Sequence, residues 1–410
     1  MAPPAPWVVA AAAIDPLMHR RRTYSRLVAL AGLLLGCARA GVLPEDRADL
    51  LFHRYTGGGM TIQGPSVLVQ KKIGDHVSLA GNYYVDNITG HVDTISGASI
   101  DSAPANLLSG ASTYHEERRQ ESLSIDVLQG KTTYSAGYIA GNENDYRART
   151  AFASVSEDMF GDLTTISFGY TRGWDKVGKV GETTTNPLER RNWQLGLAQV
   201  LTRNLLLGLN YETSESEGLL SNPYRMVRFT LAGASNGRGY EAQPEQYPHT
   251  RTGNAGSGQL KYYLPWHAAL DGSYRYYTDT WGIVAHTVEL GYTQPMFRSW
   301  TLDAHARYYR QNHADFYSDL FPYQDAQNFM ARDRELATFK SLTLGLGASW
   351  EFHPTRWSWL QKGTVNLRWD RMKIKYDDYR DLRYIVVVPG TEPLYTLNAN
   401  ILQFFISGWF

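Results

Sequence analysis

Residue types able to do chemistry are present in this 410-residue sequence, but they stand apart from one another. Beyond His19, the histidines fall singly at His53, His76, His91, His115, His249, His267, His286, His305, His313 and His353, with no pair at metal-ligand spacing. No G-x-S-x-G elbow, P-loop, H-E-x-x-H zinc motif or EF-hand loop is recognised. Ser112 and His115 are near neighbours. An enzyme built on such residues would need a Ser–His or Asp–His pair in hydrogen-bond reach near an accessible rim. Asp86, Asp93, Asp101, Glu116 and Glu117 cluster along one stretch. In an exposed loop, their oxygens would suit Ca²⁺ or would simply be solvated. Gly57-Gly58-Gly59 reads as a turn rather than a phosphate cradle, since no helix start follows it. Glu143-Asn144-Asp145-Tyr146 reads as a tight strand-to-strand turn. The expectation is no catalytic activity and no cofactor.

Chemistry of this kind must be positioned by some scaffold, and composition narrows the choice. The formal net charge is zero, which argues against a nucleic-acid partner because no basic excess exists to meet phosphates. Aromatics reach 13% with 27 Tyr and 11 Trp, beside 37 Gly, a composition that suits strands and tight turns. Past residue 40 no apolar run reaches the ~18–20 residues of a membrane helix. That excludes a helical membrane protein but not a membrane barrel, whose strands need only alternate.

Met18-His19-Arg20-Arg21-Arg22 is a positive n-region, Leu27 to Leu35 a short apolar core, and Ala38-Arg39-Ala40 a small-x-small cleavage site. Together they read as a secretory signal peptide over residues 1–40, with Met18 the expected true start. Leu34-Leu35-Gly36-Cys37 also fits a lipobox, which would make Cys37 an acylated N-terminus. Cys37 is the single cysteine, so cleavage at Ala40 leaves no thiol for a disulfide or metal site.

Period-two alternation recurs through the remaining chain. In 204–213, Leu205, Leu207, Leu209 and Tyr211 oppose Asn204, Gly208, Asn210 and Glu212. In 341–350, Leu342, Leu344, Leu346, Ala348 and Trp350 oppose Thr343, Gly345, Gly347 and Ser349. Segments 121–128, 162–171, 299–310 and 362–371 repeat the pattern. Weaker candidates are 47–56, 62–72, 76–86, 131–141, 146–157, 191–201, 257–265, 268–278, 283–294 and 397–410. About sixteen strands (range 14–18) result, each near the ~9–11 residues that cross a membrane. The connectors at 73–75, 129–130, 158–161, 202–203, 265–267 and 295–297 are short. Those at 87–117, 173–190, 214–256, 312–338 and 374–396 are long. The short 57–61, 142–145 and 279–282 are exceptions among the latter. The expected fold is all-β: a transmembrane antiparallel up-and-down barrel over 41–410, with long loops on one rim. A soluble periplasmic β-sandwich is the competing architecture.

The last strand sets Leu402, Phe404, Ile406 and Phe410 on alternate positions and stops on an aromatic, in the manner of the signal read by the barrel-assembly machinery. Trp193, Tyr211, Tyr262, Tyr276, Trp300, Tyr308, Trp350 and Trp369 fall near strand ends, as interface girdles require. The opposite parity carries Asp126, Glu212, Lys261, Asp271, Arg275, Glu289, Asp303, His305, Arg307, Arg368 and Asp370. Inside a barrel these would line an aqueous pore or pair across strands as a plug.

Several stretches carry a family resemblance: Leu43-Pro44-Glu45-Asp46-Arg47-Ala48-Asp49, Tyr55-Thr56-Gly57-Gly58-Gly59, Gly64 to Val69, Tyr83 to Asp86 and Ala98 to Asp101. Tyr114 to Arg118, Glu143 to Tyr146 and Gly161 to Thr165 continue it. On these residues the N-terminal third resembles the bacterial family DUF3570, barrel proteins of unknown function. The resemblance thins beyond but extends toward the terminus, and Asn87 to Thr94 departs from the family's pattern. It implies an outer-membrane location and supplies no activity. The functional expectation is a channel for a small solute, or a membrane platform for a periplasmic protein. An outer-membrane lipid hydrolase or protease is the alternative.

Overall fold

The computed structural model describes residues 41–92, 112–179, 182–234, 237–354 and 356–410, with the backbone alone described at 90–92 and 112–116. The leader readings at Cys37, Ala38 and Ala40 and the loop candidates Asp93 and Asp101 lie outside the described residues, as does the side chain of Glu116.

Sixteen strands close into an antiparallel barrel. In chain order they begin with β1 (Arg47–Gly57), β2 (Met60–Ile73), β3 (Val77–Val92), β4 (Ser112–Gln129) and β5 (Thr132–Asn142). They continue with β6 (Tyr146–Met159), β7 (Thr164–Val177), β8 (Asn186–Thr202) and β9 (Leu205–Gly218). A separate hairpin, β10 (Met226–Thr230) and β11 (Tyr240–Pro244), interrupts the wall. The wall resumes with β12 (Thr250–Tyr263), β13 (Ala269–Asp279), β14 (Val284–Met296) and β15 (Trp300–Gln311). It ends with β16 (Phe339–Phe352), β17 (Lys362–Arg380) and β18 (Leu394–Trp409). β1 pairs with β18 from Arg47↔Trp409 to Gly57↔Ala399, so the first and last strands close the ring and leave no open edge. Closure rules out the sandwich.

The register sorts every strand into two faces. Outward stand Leu50 and Phe52 on β1, Val67 and Val69 on β2, Leu344 and Leu346 on β16, and Leu402, Phe404 and Ile406 on β18, all exposed. A ring of exposed aliphatic and aromatic side chains is a cost in water and a match for lipid. Tyr211, Tyr262, Tyr276, Trp300, Tyr308, Trp350 and Trp369 share that face and are exposed, and Trp193 is half-buried against Tyr170, ring centroids 5.5 Å apart. Trp300 and Tyr308 bracket β15 at about 27 Å along the strand, given ~3.4 Å per residue. A tilt of ~40° brings this to roughly 20 Å of height, near the ~25 Å band of membrane barrels. Phe410 follows the end of β18, its N–H donating to the carbonyl of Asp46 at 3.3 Å and its ring lying 4.9 Å from Lys71 Nζ.

One rim is made of tight turns, such as Gln129-Gly130-Lys131, where Gly130 takes a φ of 65° that a side chain would strain. The other rim carries the long connections. Strands reach further toward it than alternation indicates. β17 extends nine residues past 371, to Arg380, β3 runs to Val92 and β4 begins at Ser112, so both ends of the expected 87–117 loop are strand. The reason is a change of phase. On β17, Leu367 and Trp369 face out and Arg368 and Asp370 face in; beyond them Lys373 and Lys375 face out while Met372, Ile374 and Tyr376 are buried inside. β18 repeats this, with Gln403 inward beside outward Leu402 and Phe404, but Leu397, Ala399 and Ile401 inward beside outward Asn398 and Asn400. β1, β2, β3 and β16 switch likewise at Tyr55, Ile62, Ile88 and Phe339. Each strand leaves lipid for water on its outer face, while on its inner face it leaves a polar lumen for a packed core.

Candidate functional site

The packed core at the loop rim is a lid. Inward residues of opposite walls, Tyr55 on β1, Leu188 on β8 and Tyr395 on β18, join one buried cluster with Leu220, Tyr247, Phe316, Tyr317, Ala331 and Leu336 from the connections. The 214–256 region, expected as one loop, contains the β10–β11 hairpin, whose five-residue strands are too short to span lipid. The 312–338 connection pairs with it: Phe321 N–H donates to the Arg228 carbonyl at 2.9 Å, and Met330 and Gln246 exchange backbone bonds at 2.7 and 3.0 Å. Val227, Phe229, Phe321 and Met330 seal that junction. A G-x-S-x-G string, Gly233 to Gly237, lies between β10 and β11, where a second strand follows instead of the helix a nucleophile elbow requires.

Arg228 ties three connections together. Its Nη1 donates to Glu392 Oε1 at 2.6 Å, its Nη2 to Glu392 Oε2 at 3.1 Å and to Asp319, and its Nε to the Asp319 carbonyl at 2.8 Å. The side chain is 2% exposed, so each of these charges depends on the others for solvation. Arg332 adds contacts to Asp319 at 2.9 Å and to the Arg380 carbonyl at 2.9 Å. A register shift lies in the β17–β18 ladder between Lys375 and Arg380. It lets Tyr376 and Tyr379, three residues apart, both turn into the lid. Deeper in the lid, Arg225 pairs with Asp333, and Glu245 accepts from Tyr247 OH at 2.7 Å and from Arg332 N–H at 2.8 Å. Burial, reinforced by nearby Asp333, pushes the Glu245 carboxyl up to about 7.

Beneath the lid the interior is polar. All eleven charged residues assigned to the inner parity face inward by register. Glu212 accepts from Asn192 at 2.8 Å and from Arg275 at 3.2 Å, and Asp126 accepts from Ser135 at 2.6 Å. Arg368 reaches His305 at 2.9 Å and Asp370 at 3.3 Å. Gly345 makes room for this group: a Cβ there would collide with the His305 ring and the Asp370 carboxylate. Asp271, Glu289 and Asp303 enter none of these pairs, and Asp303 Oδ1 is buried without a hydrogen-bond partner. On the β9–β12 side, inward Asn210, Gln259 and Lys261 are exposed. This part of the wall is therefore wetted, while the β1 and β16–β18 side is closed, with Gln403 and Asn366 at most 1% exposed.

The expected loop carboxylates resolve differently. Asp86 is not in a loop: it lies on β3, is 0% exposed, and accepts from Tyr84 OH at 2.8 Å while standing 2.6 Å from His53 Nε2. Arg118 approaches it at 3.7 Å and pairs with Glu143, which lies in the short turn between β5 and β6 that the sequence indicated. Glu117 is also in a strand, β4, paired with Arg119. Among the described residues no group of three or more His, Cys, Asp or Glu is placed to hold a metal ion. His53–Asp86 is an Asp–His pair in hydrogen-bond reach, but both side chains are sealed from solvent at 3% and 0%, so no substrate can meet them. Alternation could not reveal this pair, because polar inward residues look alike whether wetted or buried.

No curated protein matches the chain. In outline the fold is similar to a bacterial polysaccharide outer membrane secretin, with TM-score 0.45 and 11% identity over 90% of this chain and 100% of that one. It is also similar to the siderophore receptor PirA of Pseudomonas aeruginosa, with TM-score 0.42 and 10% identity over 82% of this chain and 60% of the receptor. A third is the outer membrane protein OmpT of Vibrio cholerae, with TM-score 0.40 and 10% identity over 89% of this chain and 98% of that one. The chain thus spans the full length of the secretin chain but only 60% of the receptor's. The barrel assignment rests on the closed strand ladder, not on these likenesses. The residues that suggested a family lie between Leu43 and Thr165, whereas the family match falls after them. It covers residues 185–371, from the start of β8 to the middle of β17 with the hairpin and the 312–338 connection included, and its family is described as "Protein of unknown function (DUF3570)".

Proposed function

We propose that the protein is a Sec-exported channel of the bacterial outer membrane for a small hydrophilic solute, closed at rest by its own lid. In this reading the turn rim faces the periplasm, the long connections face outward, and the terminal strand is presented to the barrel-assembly machinery during insertion. The observation that carries it is the wetted, charged wall under the lid, with Lys261, Gln259 and Asn210 accessible from within. A sixteen-stranded ring is wide enough for an aqueous lumen. Charges turned inward need either water or partners, and Asp271, Glu289 and Asp303 lie outside the ion pairs. They favour cations in transit.

Planar bilayers test this. Wild-type protein should give rare, brief conductance steps with a preference for cations. The triple variant D271N/E289Q/D303N should lower the cation-to-anion permeability ratio several-fold. Bilayers that stay silent at high protein load, even when the lid is released, would end the channel reading. A second reading, a membrane platform for a periplasmic protein, draws on Trp357 and Trp359 in the β16–β17 connection. They are 51% and 64% exposed, with stacked rings 6.1 Å apart. Loss of partner capture from periplasmic extract by W357A/W359A, with unchanged conductance, would favour it.

A further inference from the structure

We propose that export cleavage after Ala40 turns Gly41 into an α-ammonium that latches onto the buried carboxylate of Asp158, tying an N-terminal strap to the turn rim. Gly41 N–H donates to Asp158 Oδ2 at 2.8 Å. Asp158 lies at the turn-rim end of β6, shares the inward parity of Ser156, and is 7% exposed. Its other oxygen accepts from Thr165 Oγ1 on β7. Both donors are neutral in the uncleaved chain. Lys131 stands within electrostatic range, but its Nζ donates to Asp162 at 2.6 Å, and Asp158 makes no ion pair to a described residue. A buried carboxylate held only by neutral donors lacks a counter-charge, which is costly away from water.

The path of the chain points the same way. Residues 41–46 precede β1, whereas Asp158 belongs to β6, five strands away around the ring. The far end of this strap is fixed beside β1. There Asp46 accepts from Lys71 Nζ and from Lys72 N–H, both at 2.6 Å, and Glu45 stands 3.7 Å from Lys362 Nζ on β17. Between the two anchors Leu43 is 4% exposed. Hydrolysis of the Ala40–Gly41 bond by a signal peptidase consumes one water and leaves a carboxylate on Ala40 and an amine on Gly41. With the usual α-amine pKa of ~7.7–8.0, that amine is an ammonium at pH 7. A single amide donor thereby becomes a cation, placed where the Asp158 carboxylate lacks one, and a charge-assisted bond is the stronger kind. The latch rests on cleavage after Ala40, not on whether the barrel conducts.

Mass spectrometry of the protein isolated from outer membranes, before and after brief treatment with N-hydroxysuccinimidyl acetate at pH 7, tests it. The N-terminal peptide should begin at Gly41. Its α-amine should acetylate at least tenfold more slowly than in D158N, with exposed Lys373 as the internal reference. A one-residue Ser insertion after Ala40 displaces the ammonium by ~3.4 Å and should raise its reactivity likewise. That second variant keeps the test decisive should D158N disturb the end of β6, and heat-modified gel mobility confirms that each variant is folded. A chain that begins at Cys37, or retains the leader, overturns the latch together with the cleavage reading. A chain that begins at Gly41 with an α-amine as reactive as in D158N and the insertion variant overturns the latch alone.

Discussion

The same strands build two halves of this molecule with opposite rules. In the membrane half, β17 turns Leu367 and Trp369 outward and Arg368 and Asp370 inward. In the lid half it turns Lys373 and Lys375 outward and buries Ile374 and Tyr376. The lower half has lipid outside and water within; the upper half has water outside and a core within. Which face of a β-strand is apolar is set by its surroundings and not by the strand, so a barrel crossing from one medium to another must invert its pattern. The lower half gains nothing from being filled, since lipid already accepts its apolar face. The upper half has no lipid and must supply its own core, which is why three long connections fold into the mouth.

Breaking the lid while sparing the wall is the largest expected effect. Arg228→Ala leaves Glu392 buried without its cation and Asp319 with Arg332 alone, a loss of about 3–5 kcal/mol for a broken buried pair. The lid connections should become protease-sensitive and conductance should rise, while the barrel keeps its heat-resistant mobility. The converse change is Leu344→Arg on the lipid face, expected to cost the barrel about 2–4 kcal/mol in denaturant unfolding from bilayers. It should leave lid proteolysis unaltered in the molecules that remain folded. If both variants weakened lid and barrel alike, the two halves would be one cooperative unit.

A smaller effect distinguishes the halves by pH. Glu245 holds its proton up to about 7 in the closed lid, where burial penalises the carboxylate, and up to about 4.5 when hydrated. Between these values the closed lid binds more protons than the open one, so lid stability falls as pH rises from about 4.5 to 7 and levels above. Lid opening, followed by hydrogen exchange of residues 226–244, should therefore increase over that window, and E245Q should flatten the dependence. A lid equally stable at pH 5 and 8 in the wild type would count against the buried carboxyl.

How much was legible follows from the two rules. The closed ring contains sixteen strands, matching the sixteen runs of alternation in position, because lipid imposes one simple contrast throughout the lower half. Segment 341–350, with five apolar residues in phase, lies wholly within β16. Boundaries at the loop rim fell short wherever the phase inverted: the contrast around Arg371 and Lys373 has the wrong sign for a membrane strand, so β17 read as ending there. The lid was not legible. Its contacts join residues as distant as Arg228 and Glu392, 164 positions apart, and no local period reports such pairings. Asp86 read as a loop acid for the same reason, since its partners His53 on β1 and Arg118 on β4 lie on other strands rather than in its own segment.

The inversion is tested most directly by cysteine accessibility in a Cys37→Ser background. Single cysteines at Leu344, Lys373 and Ile374 sample, in turn, the lipid face, the outer face above it and the lid core. In liposomes a water-soluble maleimide should label K373C rapidly and leave L344C unlabelled, while I374C stays protected until Arg228→Ala releases the lid. Rapid labelling of I374C with the lid intact, or protection of K373C equal to that of L344C, would contradict the two-halves arrangement.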